Sequence, residues 1–133
     1  MNNERTTLSR YRLEKAREDL ESAYLNLQNN LLKASINRSY YSIFHSIRAI
    51  NALHSFDSKR HSGVISYFNK HFIHTGEFDK EVYSIISTAY RIRERSDYDD
   101  FYIVSRKDAQ NQYEKAEYFL ILVDKYIKKV SEW

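Results

Sequence analysis

The sequence predicts an all-α protein, an antiparallel up-and-down four-helix bundle with one additional short helix. Its 133 residues contain no proline and only two glycines, Gly63 and Gly76, so the residues that interrupt helices and shape β-turns are nearly absent. Apolar residues recur at steps of three and four over long segments, which is the spacing of one helix face. At this length, residues 1–133 are expected to form one domain with its own core.

Two long amphipathic helices are predicted in the first part of the chain. The first covers about residues 7–28, with charged residues on its other faces. Its apolar stripe consists of Leu13, Ala16, Leu20, Ala23, Tyr24 and Leu27. Asn29 and Asn30 are typical turn residues, and the second helix is predicted from about Lys33 to Leu53.

The second helix has two different faces. One is a narrow stripe of core residues: Ile36, Tyr40, Ile43, Ile47 and Ile50. The opposite face combines a cation, an aromatic ring, an imidazole and small side chains: Arg38, Tyr41, His45, Ala49 and Ala52. We interpret this second face as a contact with another helix or another subunit that keeps ionisable groups available for a ligand.

A short third helix is predicted after a polar stretch at residues 55–61. Ser62 is its predicted N-cap, and the helix is expected to end near Gly76. Its apolar face consists of Val64, Phe68 and Phe72. Asp79 is the predicted N-cap of the fourth helix.

The apolar stripe of the fourth helix ends on a cation. Val82, Ile86 and Ala89 form the stripe, and one more turn at the same angular position brings Arg93. Burying a guanidinium is costly unless it is paired, hydrated or bound to an anion. A functional role and a structural salt bridge for Arg93 are therefore both open.

A loop and a long helix complete the predicted bundle. Residues 96–102 are acidic and aromatic, break the helical period and are predicted to form a loop beside Arg93. The last helix is predicted to begin near Ser105, with Asp108 in the position of a capping box, and its apolar stripe reaches Val130. About 25 residues at 1.5 Å each span roughly 37 Å, which matches the length of the first two helices.

Composition excludes several classes of function. The formal charge of +3 is compatible with an anionic partner but does not identify one. Two isolated glycines exclude a phosphate-binding glycine loop, so the chain is not itself expected to be a nucleotidyltransferase. No cysteine is present, and His71 and His74 with Glu77 lack a further ligand, so we expect no metal and no cofactor. No apolar segment is long enough for a membrane span or a signal peptide, which predicts a cytoplasmic protein.

The order of short motifs along the chain resembles the HEPN family, and within it the small stand-alone members that are often encoded beside a minimal nucleotidyltransferase. The matching segments are Arg12-Leu13-Glu14-Lys15-Ala16 with Asp19-Leu20, Asn37-Arg38-Ser39-Tyr40-Tyr41 with Phe44-His45, Lys59-Arg60-His61-Ser62-Gly63-Val64-Ile65 with Phe68, Gly76-Glu77-Phe78-Asp79, and Arg93 with Asp97-Tyr98. The resemblance implies a bundle of four long helices and a short one. It also implies a homodimer with a cleft shared by the two subunits and a nucleotidyltransferase as partner protein.

Many HEPN proteins are metal-independent ribonucleases, in which four to six residues separate an arginine from the histidine that follows it. The arginine holds the phosphate and the imidazole takes the proton of the ribose 2′-hydroxyl. Arg93 matches the arginine, but Tyr98 stands where the histidine is expected. The resemblance therefore implies a subunit that binds RNA or nucleotide through Arg38, Tyr41 and Arg93.

The alternative is an active endoribonuclease toxin that obtains its imidazole elsewhere. His45 of the second helix is the candidate, with Arg93, Tyr98 and Asp97 completing the catalytic group. The family resemblance also implies that a partner nucleotidyltransferase modifies a tyrosine near the motif, either Tyr98 or Tyr102. Both functions remain open from the sequence.

Overall fold

The computed structural model describes residues 3–131, and within this range it contains five α-helices, a short π-helical turn and no β-strand. The helices are α1 (Asn3–Gln28), α2 (Leu32–Leu53), α3 (His61–Phe68), α4 (Lys80–Tyr98) and α5 (Arg106–Ser131). The π-helical turn, Asn69–Ile73, directly continues α3. The predicted all-α class is confirmed, with α3 as the additional short helix.

The four long helices run alternately up and down, and α2 contacts each of the others. Ser42 of α2 bonds the middle of α1, whereas Ser35 near the start of α2 bonds Ala23 further along α1, so the two helices are antiparallel. Arg106 at the start of α5 bonds Leu27 near the end of α1, which makes this pair antiparallel as well. Fourteen of the 22 residues of α2 are buried, because this helix packs against all the others.

Small side chains line the contact between α1 and α2, which we call the α1–α2 seam. Its members are Ser9, Ala16 and Ala23 on α1 and Ser35, Ser42 and Ala49 on α2, all fully buried. The Oγ atoms of Ser9, Ser35 and Ser42 donate hydrogen bonds to the backbone carbonyls of Ala49, Ala23 and Ala16 at 2.7, 2.8 and 2.8 Å. The second face of α2 thus contacts another helix of the same chain, where its small residues permit close approach.

Three predicted boundaries are wrong: the start of the first helix, the N-cap of the third helix and the loop after the fourth helix. The first helix begins at Asn3 rather than near residue 7. Ser62 is not an N-cap, because α3 already begins at His61 and the preceding turn is closed by a hydrogen bond from the Arg60 N–H to the Ser58 hydroxyl. A side chain at Gly63 would clash with Ser58. The turn can therefore lie against α3 because residue 63 has no side chain.

The predicted loop at residues 96–102 is also partly wrong, because α4 continues through Tyr98. Ser96 is buried, and Asp97 forms an ion pair with Arg93 one turn earlier, so both residues favour continuing the helix. The connection to α5 therefore comprises only residues 99–105. Two parts of the predicted site, Asp97 and Tyr98, lie in the last helical turn.

Several local signals are confirmed. Asp79 occupies the N-cap position of α4, although its side chain makes no capping hydrogen bond there, and the Asp108 N–H donates to the Ser105 hydroxyl at 3.0 Å at the start of α5. Gly76, with a φ of 86°, adopts the left-handed conformation after the π-helical turn. No helix within residues 3–131 has the length and apolar character needed to cross a membrane.

Candidate functional site around Arg93

Arg93 is held against the first half of α2. One face of α4 lies in the core and carries the buried residues Val82, Ile86 and Ala89. Arg93 follows on the same face. Only 14% of its side chain is exposed. A largely buried cation therefore lies where α4 crosses α2.

The guanidinium of Arg93 has one close carboxylate and two aromatic neighbours. Its Nε lies 2.9 Å from Asp97 Oδ2, Nη2 donates to the Tyr41 hydroxyl at 3.2 Å, and Nη1 is 3.9 Å from Glu94 Oε1. Its Cζ lies 5.2 Å and 5.5 Å from the ring centroids of Tyr40 and Tyr41. Burial alone would lower the pKa of Arg93, but Tyr41 and Asp97 outweigh it and raise the pKa, so the residue is a permanent cation.

His61, the first residue of α3, completes this group with an imidazole. Its Nδ1 is hydrogen-bonded to the Tyr40 hydroxyl at 2.8 Å, and its ring stacks on Phe44 at 4.0 Å between centroids. Burial, helped by the positive charge of Arg93, lowers the pKa of His61, so the ring is neutral at pH 7. We call Arg93, Tyr40, Tyr41 and His61 the Arg93 cluster.

Sequence reasoning missed His61 as a site residue and placed Tyr40 only in the core. Tyr40 is indeed buried, and burial raises the pKa of its phenol, so the hydroxyl stays protonated. The local signal was the match of His61 to a family segment, but its proximity to Arg93 depends on how α3 docks on α2. That docking leaves no periodicity in the sequence.

The three predicted binding residues come together. The Arg38 guanidinium lies 5.0 Å from the Tyr41 ring centroid, while Arg93 contacts the same tyrosine. Arg38 also forms an ion pair with Asp19 of α1 at 2.9 Å. Tyr41 therefore lies between two guanidinium groups, each with its own carboxylate partner.

His45 lies beside Tyr41, with the two ring centroids 6.0 Å apart. Its Nε2 lies 3.8 Å from Asp19 Oδ2, and its Nδ1 is buried without a hydrogen bond. Within the described residues no hydrogen bond joins His45 to Arg93 or Tyr98. Tyr98 is 73% exposed, so the structure places only Asp97 of the predicted catalytic partners directly on Arg93.

The burial of His45 predicts a measurable pH dependence of stability. Burial first, and then the positive charges of Arg48 and Lys15, lower its pKa from 6.5 to about 4. Between these values the unfolded chain binds a proton that the folded chain does not, so acidification lowers the free energy of unfolding. We expect the urea midpoint of the wild type to fall between pH 7 and pH 5, and to fall less in a His45→Gln variant. An equal fall in both proteins would contradict this assignment, because the other histidines are common to both.

The described residues contain no group of three or more His, Asp or Glu side chains that could share a metal ion. His71 and His74 lie at the π-helical turn, and Glu77 follows the turn. The Arg93 cluster offers a fixed cation, two phenols and a neutral imidazole.

Comparison with known proteins agrees with the fold. A family profile for the HEPN domain matches residues 9–126. A UPF0332 protein of Thermotoga maritima is 31% identical over 97% of this chain and 98% of its own length. Two proteins of Methanocaldococcus jannaschii, "Putative toxin MJ0142" and "Putative toxin MJ0605", are 32% and 30% identical over 86% and 89% of this chain, and over 78% and 87% of their own lengths. The chain therefore belongs to the HEPN domain family.

Proposed function

We propose that this protein is the HEPN component of a nucleotidyltransferase–HEPN pair of the toxin–antitoxin type, and that it binds RNA or nucleotide at the Arg93 cluster. The observation that carries the proposal is the state of Arg93. It is a permanent cation, and among the described residues its Nη1 has only a distant partner, Glu94 at 3.9 Å. A phosphate oxygen would take the place of this weak contact and form charge-assisted hydrogen bonds with the guanidinium.

The surroundings of Arg93 suit a nucleotide better than a simple anion. Tyr41 presents its ring to the guanidinium groups of both Arg38 and Arg93, so two cations and an aromatic ring lie together. Phosphate recognition by arginine and stacking of bases on aromatic rings are the usual means of binding single-stranded RNA. The toxin names of the relatives support the same proposal.

We infer that two copies form a homodimer around this site. Asp97 and Tyr98 end α4 on the exposed side of the Arg93 cluster, where a second copy would enclose it. A shared cleft would bring two permanent cations to one RNA strand. This arrangement follows the expectation that the family resemblance gives.

The proposed partner is a minimal nucleotidyltransferase that modifies a tyrosine. Tyr98 is the accessible hydroxyl, because its side chain is well exposed at the end of α4. Tyr102 is half-buried and has the Arg95 guanidinium over its ring at 4.6 Å. Modification of Tyr98 would place negative charge next to Arg93 and oppose RNA binding there. We propose the cytoplasm as the site of this function, since the RNA and the partner would both be found there.

The proposal is tested by titrating purified protein into fluorescein-labelled single-stranded RNA at 50 and 200 mM salt. Saturable binding that weakens at the higher salt supports it. Binding releases counterions from the RNA, and a higher salt concentration opposes that release. Absence of binding at 50 mM salt overturns it.

A second candidate function, RNA cleavage, is favoured by the position of His61. Both His61 and Arg93 contact the rings of Tyr40 and Tyr41, so an imidazole and a guanidinium lie on the same pair of residues. When Nδ1 donates its proton to the Tyr40 oxygen, the lone pair of Nε2 is free to act as a base. His61 thus offers the imidazole that Tyr98 cannot supply.

The reaction would proceed without metal. Nε2 of His61 takes the proton of the ribose 2′-hydroxyl, the 2′-oxygen bonds to phosphorus, and the bond from phosphorus to the 5′-oxygen breaks. That oxygen receives a proton from water, the resulting hydroxide takes the proton back from the His61 imidazolium, and Arg93 stabilises the charge on the phosphate. The products are a 2′,3′-cyclic phosphate and a 5′-hydroxyl end.

A His61→Gln variant is expected to lose cleavage by about 100-fold or more while keeping RNA affinity, because it removes the base and leaves Arg93 in place. The wild-type rate should be constant above pH 7 and fall on acidification, since only the neutral imidazole accepts a proton. Cleavage of a labelled RNA on gels measures both. The exposed His71→Gln variant is the matched control.

Two results would reject this role of His61. Unchanged cleavage by His61→Gln would show that His61 is not the base. Loss of cleavage in a His45→Gln variant instead would assign the base to His45. A wild type that binds RNA without cleaving it leaves binding as the function.

A further inference from the structure

A groove of about 790 Å³ lies between α4 and the unit formed by α3 and its π-helical turn. Ser62, next to His61, lines it, and so does Tyr90, whose ring lies 6.1 Å from that of Tyr40. The groove therefore begins where the Arg93 cluster ends. Its size is that of a small-molecule site.

The walls of the groove suit a flat, aromatic ligand. Tyr83, Ile86 and Tyr90 occupy one face of α4 at three- and four-residue steps, and Ile65 of α3 lies opposite. The side chain of Tyr83 is 50% exposed, so its ring is available for stacking. Aromatic rings of this kind stack on nucleobases irrespective of sequence.

The lining of the groove also includes an unsatisfied hydrogen-bond acceptor. Asn69, the first residue of the π-helical turn, lines the groove, and its Oδ1 is buried without a hydrogen-bond partner. A buried acceptor without a donor is unfavourable, so the Asn69 side chain gains a full hydrogen bond if it turns into the groove towards a ligand N–H. Such π-helical turns occur frequently at functional sites.

A lysine lies at one end of this groove and the Arg93 cluster at the other. Lys70 and His74 line it beside the π-helical turn, and the Arg93 cluster adjoins it at the start of α3. A ligand in the groove is thus flanked by groups that suit phosphates on either side. A nucleotide within a strand has this composition, a planar base on a ribose that links two phosphates.

We propose that the α3–α4 groove holds a nucleobase that carries an exocyclic amino group, with its phosphate at Arg93. The amino group donates to Asn69 Oδ1, and the base stacks on Tyr83. This inference rests on the proposed function, since Arg93 supplies the phosphate contact. It adds a base preference: adenine, cytosine and guanine offer an exocyclic amino group to Asn69, whereas uracil offers none.

The stacking part is tested with adenosine 5′-monophosphate and ribose 5-phosphate, which share the phosphate but not the base. In NMR titrations of the full chain, Tyr83→Ala should weaken binding of the nucleotide about tenfold and leave ribose 5-phosphate unchanged. The control is Tyr11→Ala, an exposed tyrosine on α1, which packs against neither α3 nor α4.

The hydrogen-bonding part is tested by comparing adenosine and uridine monophosphates. Wild type should prefer the adenine nucleotide about five- to tenfold, and Asn69→Ala should remove that preference. Circular dichroism verifies that the variant retains its helices. Equal wild-type affinities for the two nucleotides would overturn the base preference.

The outcomes separate this inference from the proposed function. If Tyr83→Ala binds the adenine nucleotide as tightly as wild type does, the base lies outside the groove, while phosphate binding at Arg93 stands. If Tyr83→Ala instead turns a dimer into a monomer by light scattering, with nucleotide binding unchanged, the groove is a subunit contact and the inference fails. If wild type binds neither nucleotides nor RNA, both proposals fail.

Discussion

Replacing Arg93 by glutamine is expected to lower the affinity for single-stranded RNA by roughly 10- to 100-fold at low salt, because each hydrogen bond to a charged group contributes about 1.5–3 kcal/mol. The variant keeps a polar side chain but loses the permanent charge and the planar donor group that faces Tyr40 and Tyr41. Fluorescence anisotropy with labelled RNA measures the loss. The slope of log affinity against log salt should also decrease by about one.

Arg91 provides a matched control for this experiment. It lies two residues earlier on α4, is exposed and carries the same charge. Arg91→Gln should change RNA affinity only through net charge, so its effect should be several times smaller. Equal losses in the two variants would show that binding depends on overall charge rather than on the Arg93 cluster.

Arg93→Lys tests the geometry of the contact. Lysine keeps the charge but has no fork of donors and a weaker contact with aromatic rings. An affinity between those of wild type and Arg93→Gln is expected. Full recovery by lysine would mean that the Tyr40 and Tyr41 rings contribute little.

The largest effect on stability is expected from Ala16→Leu in the α1–α2 seam. Ala16 is fully buried, and its carbonyl accepts the hydrogen bond from Ser42 at 2.8 Å. A leucine would separate the helices and break this and the neighbouring bonds between side chains and backbone. We expect a loss of about 3 kcal/mol or more from the free energy of unfolding, measured by urea denaturation.

Ala34→Leu is the corresponding control on α2. Ala34 is exposed, so the same change in side-chain volume meets no neighbouring helix and should alter stability by less than about 0.5 kcal/mol. A similar small change for Ala16→Leu would mean that the seam is not closely packed.

The helices could be predicted because their information is local. The apolar stripe of α5 follows directly from the 3.6-residue period, and so does the position of Arg93 at the end of the apolar stripe of α4. The caps at Asp79 and Ser105 were recognised for the same reason. Errors occurred where one residue serves two purposes, as at Asp97, which was assigned to a loop for its charge but continues the helix by pairing with Arg93.

The rest depends on contacts between distant segments. Ser9, Ser35 and Ser42 look like surface residues in a sequence, yet each reaches a carbonyl of a neighbouring helix. His61 is 32 residues from Arg93 in the printed sequence, and only the docking of α3 brings them to the same tyrosines. Helical phase points to His45, whose ring lies 6.0 Å from that of Tyr41, but phase gives the direction of a side chain and not the neighbour that it meets.

The α1–α2 seam also bears on the order in which the protein folds. Its two helices are adjacent in sequence and joined by a short turn, so this hairpin closes a small loop and should form early. Tyr40 and Tyr41 are then already in place, whereas Arg93 arrives only when α4 docks. The last step of folding would thus assemble the site, and a bound phosphate should slow the undocking of α4 and protect its amides from hydrogen exchange.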